Sequence, residues 1–228
     1  MTCVVVFDVD DTLYLERDYV RSGFRAVGEH IGHSGFADAA WRLFLDGQRG
    51  DIFDRALIGL GLACSQESIS ELVAVYRSHE PAIELLDDGQ QVLMGARRAG
   101  FQLAVITDGP VASQRAKVAA LGLEGVVDLV VVTAELGDGM SKPHPASYLA
   151  VERFFGRRGT ELVYVADNPV KDFSTPHRRG WRTVRVRRAL GLHSHLDSGK
   201  DVDVELADLR RWHPATSLCD GERSLGFG

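Results

Sequence analysis

Residues 4–14 read Val4-Val5-Val6-Phe7-Asp8-Val9-Asp10-Asp11-Thr12-Leu13-Tyr14, an apolar run that ends abruptly in carboxylates. No polar residue alternates through Val4 to Phe7, so the run reads as a strand covered on both faces, the pattern of a parallel sheet. It is expected to be the central strand. Ligands of open parallel sheets bind beyond the carboxyl ends of the strands, which places Asp8, Asp10 and Asp11 where chemistry is usually done. Carboxylates set this close repel one another and lose hydration, so a cation or a positive side chain belongs beside them, and Mg²⁺ is expected. Taken alone, the stretch also reads as a strand followed by an Asp-rich turn. The remainder of the chain decides between the two.

Downstream, the texture turns helical. Val20, Phe24, Val27 and Ile31 recur at helical spacing with Gly32 as a stop. Trp41, Phe44 and Leu45 mark a second helix, and Ile52, Phe53, Ala56, Leu57 and Leu60 a third. Ser65 is placed to cap a fourth, carrying Ile69, Leu72, Val73 and Tyr76 on its apolar face, before Pro81 breaks it. Four amphipathic helices in succession predict a small helical domain over residues 15–86, inserted into a core made of residues 1–14 and 87–228. From Asp87 onward helices and strands alternate. Strands are expected at 101–106, 126–132, 162–166 and 183–186, with a last short element within 204–209 and a fraying tail. The fold class predicted is α/β, a doubly wound parallel, Rossmann-like sheet with an all-helical insertion after its first strand.

Three further strand ends carry polar groups. Thr107-Asp108-Gly109 closes the second strand, where the Thr hydroxyl and the main-chain N–H groups beside Gly109 suit the oxygens of a phosphoryl group. Lys142 lies in Ser141-Lys142-Pro143-His144-Pro145, where two prolines restrict the backbone and favour a fixed ammonium over a solvated one. Asp167-Asn168-Pro169-Val170-Lys171-Asp172 follows the fourth strand; that spacing brings one carboxylate to a metal and leaves the other to anchor Lys142 or a metal-bound water.

These four segments, in this order and each at a predicted strand end, resemble the motifs of the haloacid dehalogenase (HAD) superfamily of phosphoryl-transfer enzymes, and the helical insertion is similar to a C1 cap. The resemblance covers nearly the whole chain. It departs from the common pattern in having Ala166 where many members have Gly and Asp108 where many have Asn, and neither change removes a catalytic group. It implies that Asp8 attacks phosphorus to form an aspartyl phosphate and that Asp10 first protonates the leaving oxygen and then activates water. It also implies Mg²⁺ held by Asp8, the Asp10 carbonyl and Asp167. Thr107, Asp108, Gly109 and Lys142 would then bind the transferring group, with Asp172 behind them orienting Lys142 or the metal shell. Asp11 is expected to serve the turn. Dehalogenases and phosphonate-cleaving relatives do not keep an acid at the Asp10 position, so a phosphatase is expected; a phosphomutase or a non-catalytic binding protein of the same fold are the alternatives.

The partner expected is a small soluble phosphate ester, a sugar phosphate or nucleoside monophosphate, selected by the insertion, where Arg17, Arg21, Arg25, Trp41, Arg49 and His79 are candidates, each of which taken alone reads more readily as a surface or core residue. A net charge of −6 with no long block of one sign argues against a nucleic acid polymer, and Arg178, Arg179, Arg182, Arg185, Arg187 and Arg188 read as solvent-facing residues around a sheet-edge strand. Cys3, Cys64 and Cys219 are odd in number and lack metal-ligand spacing, the usage of a reducing compartment. With no apolar run of membrane-spanning length, a cytoplasmic monomer or homodimer that does not engage membranes is expected.

Overall fold

A computed structural model describes residues 3–218. The first strand, β1 (Val4–Phe7), is followed by four helices, α1 (Glu16–His30), α2 (Phe36–Leu45), α3 (Ile52–Gly59) and α4 (Gln66–Ser78). Alternation then begins with α5 (Asp87–Arg98), β2 (Gln102–Thr107), α6 (Val111–Ala120), β3 (Leu129–Val132), α7 (Ala146–Phe155), β4 (Leu162–Ala166), α8 (Ser174–Arg178) and β5 (Arg182–Val186). A short β6 (Val204–Leu206) and α9 (Pro214–Leu218) follow. The expected fraying of residues 221–228 and the thiol of Cys219 lie outside the described residues.

The six strands form one parallel sheet in the order β3-β2-β1-β4-β5-β6. Val4 stands opposite Gln102 on one side and Leu162 on the other, so β1 is interior and the ends of β1, β2 and β4 lie level. After β1 the chain builds outward to β3 and then crosses to the other side of β1 for β4. That reversal opens a crevice at the carboxyl ends of β1 and β4, where open α/β sheets bind ligands.

The unalternating apolar strands are covered on both faces, as read. Val5 and Phe7 pack with Leu103, Val105, Val163 and Val165 beneath Leu93 of α5 and Val118 of α6. Val4 and Val6 face the other way, against Tyr148 and Val151 of α7, Phe173 and Trp181. Helices α1–α4 close on a cluster of their own, in which Phe24, Phe36, Phe44 and Phe53 are all buried; each such ring contributes about 1.5–3 kcal/mol by leaving water. Ser65 caps α4 as expected: its Oγ accepts from Ser68 N at 3.1 Å, and Ser68 Oγ accepts from Ser65 N at 2.9 Å. The helix ends at Ser78, earlier than Pro81: His79 is already extended, and Glu80, the residue before the proline, is sterically kept from helical backbone.

The arginine-rich stretch corrects the sequence reading. β5 is not the sheet edge, since β6 pairs outside it. Arg185 is fully buried, and its guanidinium donates to the carbonyls of Asp167, His193 and Leu196 at 2.8–2.9 Å. Arg188, also buried, donates through Nε and one terminal nitrogen to the Thr12 carbonyl at 3.0 and 2.6 Å, and through the other to Asp88 at 3.0 Å. A guanidinium with this many fixed acceptors can leave water, whereas Arg178 has none comparable and stays exposed.

Candidate active site

The carboxyl ends of β1, β2 and β4 bring Asp8, Asp10, Asp108, Gly109 and Asp167 to the lining of one cleft of about 280 Å³, while Thr107, Lys142 and Asp172 are buried outside that lining. Asp8 follows β1 directly. Its Oδ1 accepts from Lys142 Nζ at 2.6 Å, and among the described residues no donor reaches Oδ2. Lys142, whose side chain has no solvent exposure, also lies 2.8 Å from Asp172 Oδ1 and donates to the Tyr164 hydroxyl at 3.1 Å. The second Asp172 oxygen accepts from Asn168 N at 3.1 Å, so this carboxylate anchors the lysine and the turn after β4, as its spacing suggested.

Burial and crowding set the charges. Burial pushes the Asp8 carboxyl up to about 7, against the pull of Lys142. Asp167 is raised well above the usual carboxylate range, first by burial and then by Asp8 and Asp172. For Lys142 burial disfavours the ammonium, but Asp172 and Asp8 outweigh it and raise its pKa well above the ordinary value. One carboxylate oxygen each from Asp8, Asp167 and Asp172 lies within 4.8 Å of the others. Buried, crowded, all-oxygen and short of positive charge, this set fits a hard divalent cation such as Mg²⁺. Asp10 adds no side chain to it.

The carboxylate of Asp10 is engaged elsewhere in the cleft. Its Oδ1 accepts from Lys117 Nζ at 2.7 Å and from the Tyr14 hydroxyl. Burial disfavours the Lys117 ammonium, but Asp10 and Glu16 raise its pKa above the usual value, so it remains charged. Thr107 is buried at the end of β2 and donates its hydroxyl to Gln114 Oε1 at 2.6 Å. The Asp108 carboxylate accepts from Thr133 Oγ1, Lys142 N and Lys171 Nζ at 2.7, 3.1 and 3.0 Å. Burial would raise its pKa, but Lys142 and Lys171 prevail and hold it below the ordinary value. Gly109, with φ of 140°, takes a backbone shape that side-chain-bearing residues avoid, and a Cβ there would lie 2.5 Å from Gln114 Nε2. Asp11 serves the turn, accepting from Glu16 N and Leu192 N at 2.9 and 2.7 Å.

Lys117, Gln114 and Tyr14 escaped the sequence reading, and Lys171 was seen without a role. A signal for two of them existed: Gln114, Lys117, Val118 and Leu121 share one face of α6, so two polar residues occupy positions of an apolar stripe. The helices of the insertion supply the cleft with Glu16, Tyr19, Tyr76 and Arg77. Burial, helped by Asp10, pushes Glu16 up to about 8. A second cavity of about 300 Å³, lined by Val20, Phe24, Phe44, Phe53 and Arg49 among others, adjoins the first through Glu16, Tyr76 and Arg77. Of the six insertion residues expected to meet a leaving group, Arg49 alone lines either cavity. Arg17 and Arg21 instead cover Trp41 at 5.2 and 5.4 Å, and His79 is buried against Tyr19 and Tyr76.

A parallel sheet with a crevice at its reversal point, lined by aspartates that follow β1, β2 and β4, places the chain among α/β proteins that bind ligands at that crevice. A family model of haloacid dehalogenase-like hydrolases matches residues 4–175, and the chain belongs to that family. Its relatives by sequence include phosphatases. It is 32% identical to the phosphoserine phosphatase of Thermus thermophilus over 73% of this chain, spanning 64% of that protein's length. It is 27% identical to the glyceraldehyde 3-phosphate phosphatase of Methanocaldococcus jannaschii over 90% of this chain and 93% of the relative. The fold matches that of magnesium-bound YfnB from Bacillus subtilis with a TM-score of 0.66 at 16% identity, over 95% of this chain and 98% of that one. Among the described residues no helix is long and apolar enough to cross a membrane, and Cys3 and Cys64 are free thiols.

Proposed function

We propose that the chain is a Mg²⁺-dependent phosphomonoester hydrolase that passes the phosphoryl group first to Asp8 and then to water. The observation that carries this reading is the pairing of Asp8 with the buried Lys142 at 2.6 Å, at the end of the interior strand and in the same cleft as Asp10. Lys142 fixes Asp8 Oδ1 and leaves Oδ2 to attack phosphorus. As the bond to the leaving oxygen breaks, the Asp10 carboxyl gives that oxygen its proton. In the second displacement Asp10, now a carboxylate, takes a proton from water as the water oxygen bonds to phosphorus, and Asp8 departs as a carboxylate. Lys142 and the N–H groups around Gly109 hold the phosphoryl oxygens, and Thr107 is kept in place by Gln114. Asp8, Asp167 and the Asp10 carbonyl would hold Mg²⁺, with Asp172 behind them. Bound there, the cation offsets the negative charge of nucleophile and phosphate.

Residues 15–86 act in this reading as a cap over a core formed by residues 1–14 and 87–228. The cleft lies at the small end of ligand pockets, which run to roughly 300–1,000 Å³, and this favours a compact phosphate ester over a polymer. The named substrates of the relatives, phosphoserine and glyceraldehyde 3-phosphate, are of that size, and a sugar phosphate or nucleoside monophosphate remains within the class. The enzyme acts in the cytoplasm as a monomer or homodimer. Phosphate release from p-nitrophenyl phosphate, phosphoserine, glyceraldehyde 3-phosphate and a nucleotide panel, with Mg²⁺ or EDTA, tests the reading; no release by folded, Mg²⁺-loaded protein would overturn it.

Metal binding carries a pH signature. In the metal-free protein Asp8 binds its proton more tightly folded, at about 7, than unfolded, at 3.8, and Asp167 shifts in the same direction. Their contribution to stability is therefore complete at low pH and is lost as pH rises, that of Asp8 through about 7. Mg²⁺ takes the place of those protons. Its addition is expected to raise the melting temperature more at pH 8 than at pH 5, read by calorimetry in matched buffers; an equal rise at both would exclude this site.

A further inference from the structure

The reaction above needs Asp10 to present a proton in one direction, and no cation on β1 or its loop fixes which of its two oxygens does so. Lys117 does. It projects from α6, its side chain is 4% exposed, and its Nζ lies 2.7 Å from Asp10 Oδ1 and 4.3 Å from the centre of the Tyr19 ring. The Tyr14 hydroxyl donates to the same oxygen. Removing an ammonium from water costs several kcal/mol unless acceptors replace the water, and Asp10 supplies the only carboxylate within 4 Å of Lys117 among the described residues.

Two donors converging on Oδ1 leave that oxygen no room for a proton of its own. The acidic proton then resides on Oδ2. We infer that Lys117 is a positioning residue, which holds Asp10 by Oδ1 so that Oδ2 faces the leaving oxygen, and which sits beside the carboxylate formed when the Oδ2–H bond breaks and the proton passes to that oxygen. The inference rests on the reading of Asp10 as the acid. Its weight falls on esters whose leaving group cannot depart unprotonated. Tyr14 shares the oxygen but is neutral, so it orients the carboxylate without compensating the charge.

The test compares two substrates of nearly equal shape, phenyl phosphate and p-nitrophenyl phosphate, on the Mg²⁺-loaded full chain. Nitrophenolate is stable enough to leave without a proton, whereas phenolate gains from one. Because kcat/KM reports only the steps through the first irreversible displacement, it isolates the acid role. Lys117→Met is expected to lower kcat/KM for phenyl phosphate at least about tenfold more than for p-nitrophenyl phosphate, a part of the roughly 10²–10⁴-fold that general acid catalysis supplies. Lys117→Arg, which keeps a cation and a donor, is expected to recover most of the difference. Lys117→Gln repeats the comparison with a neutral side chain should the Met variant fail to fold. Equal losses on both substrates in a variant with unchanged melting temperature, or no recovery with Arg, would overturn the inference. Wild-type protein that releases phosphate from neither ester would instead overturn the phosphatase reading on which it rests.

Discussion

Asp8→Asn is expected to abolish phosphate release from every ester, by about 10⁴-fold or more, the scale on which loss of a nucleophile is felt. The amide has no anionic oxygen with which to attack phosphorus. If its oxygen keeps the hydrogen bond to Lys142 Nζ, its NH₂ group stands where the free Oδ2 stood and offers the phosphoryl group a donor instead of an electron pair. The fold should not suffer. Asp8 is crowded by Asp167 and Asp172, so removing its charge relieves a repulsion, and the metal-free variant is expected to melt no lower than wild type. The stabilisation by Mg²⁺ should shrink at the same time. Phosphate release and a melting curve with and without Mg²⁺ check both halves. Residual turnover within about tenfold of wild type would move the nucleophile elsewhere.

Lys142→Met is expected to cost stability as well as turnover. Its ammonium is the buried counter-charge shared by Asp8 and Asp172, at 2.6 and 2.8 Å. Methionine fills similar volume, so the loss is of charge rather than packing. Breaking a buried ion pair by removing one partner costs about 3–5 kcal/mol. At roughly 2–4 °C per kcal/mol for a chain of this size, the melting temperature at pH 8 should fall by about 6–20 °C. The fall should be smaller at pH 5. Asp8 and Asp167 hold protons more tightly in the folded state than the unfolded one, so at low pH they are neutral and need the ammonium less. Turnover should drop by about 10²–10³-fold, the effect of losing one fixed positive or donor group at a reacting centre. A variant as stable at pH 8 as wild type would mean that the carboxylates do not depend on this lysine.

What the sequence made legible was what repeats or ends locally. The apolar run of β1, the strand ends at Asp8, Thr107 and Asp167, and the Ser65 cap each carry their signal within a few neighbouring residues. Lys117 is different: its partner Asp10 is 107 positions away, and only a polar residue on an apolar helix face marked it. Arg188 reaches Thr12 across 176 positions, so its burial had no local trace and the stretch around it looked like ordinary solvated charge. The residues that face a ligand from the insertion were hardest. Arg17, Arg21 and Trp41 look like recognition residues in one dimension, but they satisfy one another on the helices, while Glu16 and Arg77 line the cleft because of how α1 and α4 pass over it.

The two buried arginines separate what the chain needs for chemistry from what it needs to stand still. Every residue given a role in the reaction lies before position 175, within the span of the family match. Yet the Thr12 carbonyl, in the loop after Asp8, and the carbonyl of Asp167 itself are clasped by Arg188 and Arg185, which lie past that boundary. A fragment cut at the end of the match would keep all the reacting groups and lose both clasps, leaving two loops that carry opposite walls of the cleft free to drift apart. Grafting or shortening this enzyme therefore has a lower limit set by Arg188, just past β5 and well beyond Asp172.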